Sequence, residues 1–229
     1  MLIQRLFLCL YFLTIFSLKI QAQEQPAAQV IQNVQTSLVE VRAENIKTFD
    51  EGNGHMKTAT YHSQGSGVIL DSYGVIVTNA HIISSAQHIY VGLSDGTVLE
   101  AKVVHSSDAD FCFLKVEPPY PLTAITYADN STAQIGTPII ALSNDDGDQE
   151  HVLSGEITNL IEGMSSNTVE LYELNLNLYH GDSGGPLLDN QGQLLGLIMG
   201  KKLSEDNKTY AIAASKIINE YQQYQTNLK

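Results

Sequence analysis

The stretch YHGDSGGPLLDNQG, residues 179–192, sets a serine among glycines at 181, 184 and 185, with Pro186 behind them. Glycine reaches backbone conformations that other residues avoid and proline stops a helix. A tight turn into a strand at Leu187-Leu188 would therefore account for the composition without any chemistry. The chemical alternative makes Ser183 a nucleophile. A serine hydroxyl attacks a carbonyl at neutral pH only when a base takes its proton, so this alternative demands a histidine and an orienting acid elsewhere in the chain.

Both are present upstream. His81 directly follows the strand-like VIVTNA, and Asp110 opens the apolar run FCFL. The other histidines, at 55, 62, 88, 105, 151 and 180, lack such a strand-to-loop setting. Asp108 competes with Asp110 in SSDADFCFL, but Asp110 abuts the buried run, where a carboxylate is better held. The chain order is base, acid, nucleophile, with the serine 102 residues after the histidine and 73 after the aspartate. α/β-Hydrolases run serine, acid, histidine and subtilisin-type enzymes run acid, histidine, serine, so only the chymotrypsin order fits. In that chemistry His81 is the general base and Asp110 fixes its tautomer and stabilises its cation. The N–H groups of Gly181 and Ser183 receive the oxyanion of the tetrahedral intermediate. Activity should fall on the acid side as His81 takes up a proton.

The elements that must position these residues are short strands. Residues 64–80 read as a hairpin, with a strand at Val68-Ile69-Leu70, a turn at Asp71-Ser72-Tyr73-Gly74 and a return at 75–78. Further strands are expected at 37–41, 89–93, 98–104, 111–116, 139–142, 155–160, 169–178, 187–188 and 194–199, separated by turn signals. Val30, Ile31 and Val34 give a short helical face before them. Ile217, Ile218, Tyr221 and Tyr224 recur at helical spacing at the other end, with Ser215 placed to cap. Many short strands without alternating long helices imply an all-β fold, antiparallel barrel or sandwich, closed by a C-terminal helix.

The first residues carry Arg5, then an apolar run from Leu6 to Leu18, then small Ala22 after a polar step, the pattern of a secretory signal peptide, residues 1–22. The run is short for a membrane span, so no stable membrane insertion is expected after cleavage. Removing 22 of the 229 residues leaves 207, residues 23–229, enough for one domain or two small lobes. Cys9 leaves with the signal and only Cys112 remains, so stability must come from packing rather than an internal disulfide. Losing Arg5 and Lys19 lowers the formal charge from −13 by two, to −15. That charge argues against nucleic acid as a partner and for a secreted or periplasmic protein. Nothing in the sequence asks for a metal or another cofactor. The acidic SNDDGDQEHVLSGE, residues 143–156, does not complete a calcium-binding pattern and reads as a solvated loop.

GSGVILDSYGVIVTNAHI, DGTVLEAKVVHSSDADFCFLKVE, GDSGGPLLDNQGQLLGLI and YAIAASKIINEY, taken together and in this order, resemble the protease domain of HtrA/Deg-type serine endopeptidases. The likeness covers residues 30 to 225. It implies two six-stranded antiparallel β-barrels of the chymotrypsin-like kind, His81 and Asp110 on the first and Ser183 on the second. It implies polypeptide substrates and a homo-oligomer, and it favours Asp110 as the acid.

The chain departs from the resemblance in three ways. The family normally carries C-terminal PDZ domains, whereas none is expected here after the helix. Asp182 stands where the family usually has asparagine; trypsin-like enzymes pair that aspartate with a new N-terminus, but no start of that type is present, so Asp182 is expected to accept local backbone hydrogen bonds. Asn177, six residues before Ser183, stands where trypsin-like enzymes place the base of the primary pocket and offers no carboxylate to a lysine or arginine; with His180 it is expected to line the substrate pocket. A small or medium uncharged side chain is the expected preference. The rival function is a catalytically silent relative that binds proteins as a chaperone or adhesion module. A silent relative has no need of the histidine, the acid, the serine and Gly181 together.

Overall fold

The structure is a computed structural model that describes residues 28–229 apart from 53–54, 128–132, 146–148, 164–167, 180, 202–207 and 229. The expected signal peptide therefore lies outside the described residues. A helix over residues 28–34, α1, and a 3-10 turn at Gln35–Ser37 lead into the first strand.

The first lobe holds β1 (Leu38–Asp50), β2 (Met56–Ile69), β3 (Val75–Asn79), β4 (His88–Gly92), β5 (Val98–Glu100), β6 (Lys102–Ser106) and β7 (Phe111–Lys115). They form one antiparallel sheet in the order β5-β4-β1-β2-β3-β7-β6. The two ends of that order, β5 and β6, are consecutive in the chain and are separated only by Ala101, whose N–H bonds Ile89. Counted as one interrupted strand they close six strands into a barrel, so the single expected strand at 98–104 is broken by a kink rather than misplaced.

The second lobe is a closed six-stranded barrel, ordered β10-β13-β12-β11-β8-β9. Its strands are β8 (Pro138–Asp145), β9 (Gln149–Glu162), β10 (Val169–Leu174), β11 (Pro186–Leu188), β12 (Leu194–Lys201) and β13 (Thr209–Ala213). The last helix, α2 (Ala214–Asn227), ends the described chain. Among the described residues no helix is long and apolar enough to cross a membrane.

Consecutive apolar residues in β2, β3 and β7 are buried on both faces of their sheet, which is why those strands read as unbroken apolar runs. Ile69, Ile76 and Leu114 fill the first lobe with Val39 and Val91. Their neighbours Val68, Val77 and Phe113 turn the other way and join Leu142, Leu188, Ile212 and the α2 residues Ile217 and Tyr221 in a core shared by the lobes and the helix. The second lobe has its own core around Ile157, Tyr172, Leu187 and Leu195.

The expected hairpin turn forms as read. Asp71 Oδ1 accepts the N–H groups of Tyr73 and Val75, and Gly74 adopts φ +96°. Four expectations change. The strand at 37–41 runs on to Asp50 and pairs with Met56–Ile69 in a long arm, whose exposed outer half has no apolar alternation to announce it. TYAIA, not among the expected strands, forms β13. Much of the acidic stretch 143–156 is hairpin, β8 against β9, although Asp146 and Asp148 lie outside the described residues. Ala213 is the N-cap of α2 without a side-chain cap, and Ser215 sits one residue inside the helix, its Oγ donating to the Val169 carbonyl at 3.4 Å.

Burial leaves a pH signature. It pushes the Cys112 thiol from 9.0 up to about 12, with the Asp110 charge adding to it, and pushes the Tyr172 hydroxyl from 10.0 to about 12. The unfolded chain gives up these protons at lower pH than the folded one. Their contribution is thus complete below pH 9 and is lost as pH rises toward 12. Urea midpoints measured across about pH 8 to 11 should fall with rising pH. Cys112, buried and protonated, should react with Ellman's reagent only in denaturant.

Candidate active site

β3 and β7 are neighbours, and their pairing runs from Val75 with Lys115 to Asn79 with Phe111. His81 stands two residues beyond the end of β3 and Asp110 one residue before the start of β7. The sheet therefore delivers both side chains to the same corner. The corner is tied by backbone and side chain together, because Ala80 N–H and Asn79 Nδ2 each donate to the Asp110 carbonyl at 3.1 Å. Asp110 has φ +61°, a left-handed conformation that aspartate tolerates better than most residues.

That conformation turns the carboxylate back onto His81. Oδ1 accepts the His81 backbone N–H at 3.0 Å and Oδ2 takes ring Nδ1 at 2.7 Å. Because the carboxylate can only accept, Nδ1 carries the hydrogen, and Nε2 of the neutral ring keeps its lone pair. Asp110, not Asp108, is thus the aspartate bonded to His81. The histidine is half exposed and the aspartate about one-third exposed, so solvent reaches the pair.

Ser183 comes from the second lobe. Gly181 (φ +99°) and Gly184 (φ +83°) bracket its turn. A Cβ on Gly184 would lie 2.0 Å from the Ser66 carbonyl oxygen, so only glycine fits there. The turn is fastened across the lobes by Ser66 of β2, which is fully buried. Ser66 N–H donates to the Ser183 carbonyl at 2.8 Å and Ser66 Oγ donates to the Gly181 carbonyl at 3.2 Å. The same Oγ accepts Asn144 N–H at 2.9 Å, and the Ser66 carbonyl accepts Thr78 Oγ1 at 2.7 Å. In the sequence Ser66 is marked only by its place between two glycines.

The Ser183 hydroxyl makes a long hydrogen bond, 3.5 Å, to the Met199 carbonyl, and among the described residues none joins it to His81. Hydrogen bonds of this kind are often unformed without substrate. Gly200 leaves the hydroxyl its room: a Cβ there would sit 3.0 Å from Oγ. The backbone N–H groups of Gly181 and Ser183 have no protein partner among the described residues.

Asp182 is 2% exposed. An ionised carboxylate so placed loses several kcal/mol of hydration unless donors replace it, and they do. Oδ2 accepts the Tyr179 N–H at 2.7 Å; Oδ1 accepts Ser143 Oγ at 2.5 Å and His151 Nδ1 at 3.0 Å. The backbone partner was expected, whereas the two side-chain donors were not. Asn177 is exposed and donates through Nδ2 to the Tyr179 hydroxyl at 2.8 Å. His180 lies outside the described residues. Among those described, no group of three His, Cys, Asp or Glu side chains lies close enough to hold a metal ion.

Residues 65–197 match the family described as Trypsin-like peptidase domain, a span that begins before His81 and ends after Ser183. The chain belongs to that family. Within it the relatives are HtrA-type proteases. This trypsin-like peptidase domain is 36% identical over 152 residues to the periplasmic serine endoprotease DegP of Escherichia coli K12, covering 64% of this chain and 32% of that protein. It is 30% identical over 193 residues to the periplasmic pH-dependent serine endoprotease DegQ of the same strain, covering 77% of this chain and 42% of the relative. The chain thus spans about a third of the length of DegP. Among solved structures, the HtrA-type protease AlgW with a decapeptide superimposes with a TM-score of 0.77 at 20% identity, over 88% of this chain and 67% of that one, which shows the fold.

Removing the Ser66 hydroxyl takes a donor from the Gly181 carbonyl and an acceptor from Asn144. Ser66→Ala should therefore cost about 1–3 kcal/mol in urea unfolding, more than an exposed serine substitution. It should also slow any reaction at Ser183.

Proposed function

We propose that this domain is an exported serine endopeptidase that cleaves polypeptides through an acyl-enzyme on Ser183. The observation that carries the proposal is the His81 Nδ1–Asp110 Oδ2 contact at 2.7 Å, because it leaves Nε2 as the basic nitrogen on an exposed ring. Ser183 Oγ attacks the scissile carbonyl and gives its proton to His81 Nε2. The tetrahedral oxyanion takes hydrogen bonds from Gly181 and Ser183 N–H, collapse expels the amine with the proton from His81, and water repeats the sequence on the ester. Asp110 stabilises the imidazolium without itself taking the proton.

Residues 23–229 are assigned as the protease domain and residues 1–22 as a secretory signal, which, with the periplasmic relatives, gives a secreted or periplasmic location. Asn177 and His180 are assigned to the pocket for the residue at the cleaved carbonyl. With no carboxylate at 177, a small or medium uncharged side chain is preferred there over lysine or arginine. Assembly into a homo-oligomer belongs to the same reading.

A fluorophosphonate probe should label the purified mature protein and leave Ser183→Ala unlabelled; absent labelling, or equal labelling of both, defeats the hydrolase reading in favour of a silent binding module. Asp110→Asn should keep the fold and lower kcat by about 10⁴-fold, because an amide can hold the wrong imidazole tautomer. Wild-type cleavage should lose activity toward acid pH, since a protonated His81 cannot accept the serine proton.

A further inference from the structure

Asp182 precedes the nucleophile and is buried beneath the turn that presents it. Everything it touches is internal to the chain. Tyr179 N–H belongs to the turn itself, so one oxygen of Asp182 closes the loop 179–182 locally. The other oxygen is bound from outside the turn by Ser143 on β8 and His151 on β9, which are directly paired in the β8–β9 ladder. The carboxylate accepts at both contacts, so His151 Nδ1 carries a hydrogen and the neutral ring suffices as donor. The His151 ring also meets the Tyr179 ring edge-on, with centroids 5.5 Å apart and planes at 67°. Tyr179 in turn accepts Asn177 Nδ2.

We infer that His151 and Ser143 are positioning residues for the reaction at Ser183. They anchor Asp182 to the rigid β8–β9 ladder and so hold the Gly181 and Ser183 N–H groups where the oxyanion forms. This inference rests on the acyl-enzyme reading above. Trypsin-like enzymes take the partner of this aspartate from a newly cut N-terminus. Here the site is filled by two donors already present in the folded chain.

The chemistry makes the claim specific. Ser66 fixes the far side of the turn through the Gly181 and Ser183 carbonyls, while Asp182 fixes the near side through its side chain. Without His151 the carboxylate loses a donor and is drawn toward water. His151 is itself about one-third exposed, so water has a route to the opening. The turn rotates with the carboxylate, and the peptide groups beside Ser183 lose their aim. Substrate contacts remote from the turn are unaffected, so the loss falls on kcat rather than KM.

The test measures fluorophosphonate labelling rates, peptide-cleavage kcat and KM, and thermal melting for the mature wild type, Ser183→Ala, His151→Ala, His151→Asn and Ser143→Ala. His151→Ala should lower kcat and the labelling rate by about 10²-fold, the scale of a misaimed catalytic group, with KM nearly unchanged. His151→Asn places an amide N–H where Nδ1 stands and should recover most of the rate. Ser143→Ala should lose less than His151→Ala, because Ser143 is buried and its loss opens no route for water to the carboxylate, whereas the loss of the partly exposed His151 does. A wild-type kcat in His151→Ala, or equal losses in the alanine and asparagine variants, overturns the inference. If His151→Ala does not melt cooperatively, Ser143→Ala decides, and an unchanged kcat there overturns it. A wild type that takes no label sinks the Ser183 reading and this inference with it, whereas a labelled wild type with an unaffected His151→Ala sinks this inference alone.

Discussion

Ser66 of the first lobe holds the nucleophile turn of the second, and among the described residues no other first-lobe residue hydrogen-bonds that turn. A buried backbone group must find a partner. At Ser66 the N–H, the carbonyl and the hydroxyl are all engaged, reaching Ser183, Thr78, Gly181 and Asn144. One residue thus holds a strand of the first lobe, the turn of the second and the end of β8 in a single arrangement. The glycines follow from it. Gly184 has no room for a Cβ against the Ser66 carbonyl, and a Cβ on Gly65 would come within 2.9 Å of the Ser183 carbonyl. What looks in sequence like a flexible glycine-rich segment is a segment pressed too closely against its support to carry side chains.

The last helix, in turn, is bonded to the first lobe. Tyr221 donates to Asp71 Oδ2 at 2.6 Å, and burial together with that carboxylate pushes its hydroxyl pKa well up. Glu220 accepts His105 Nε2 at 2.7 Å and Ser107 Oγ at 3.0 Å. Ser107 Oγ in turn accepts Ala109 N–H, one residue from the Asp110 backbone. The segment bearing the acid is therefore braced by the last helix, while the segment bearing the serine is braced by the first lobe. Each lobe's contribution to the site is held in part by an element beyond its own barrel.

Much of this was legible in the residues. Unbroken apolar runs at 68–70, 75–77 and 111–114 marked strands buried on both faces, and the chain order of His81, Asp110 and Ser183 fitted one mechanism. Three kinds of information were not there. The outer part of the arm, 46–50 and 56–61, has solvent on both sides, so its polarity carries no period-two signal. Ser66, Ser143 and His151 are ordinary residues until the chain folds, since their partners lie 115, 39 and 31 positions away. The positive φ of Asp110 is a property of a corner rather than of a residue. The stretch 143–156 shows the difficulty best: its acidic character drew attention to solvent and away from the two donors it contains.

The break at Ala101 matters for what the molecule avoids. The two ends of the first sheet, β5 and β6, are short consecutive pieces of one chain, and the second barrel has no end at all. Among the described residues the outer half of the β1–β2 arm, residues 45–50 and 56–61, pairs in ladders only within itself and so leaves sheet edges of the kind that template aggregation. Even there the exposure is tempered. The Gln87 side chain caps Ile46 by bonding both its N–H and its carbonyl, Lys57 pairs with Glu51, and Lys47 lies over the Tyr61 ring. In a concentrated solution, strand-to-strand accretion is opposed by the closure of the second barrel and by a few charges along the exposed arm.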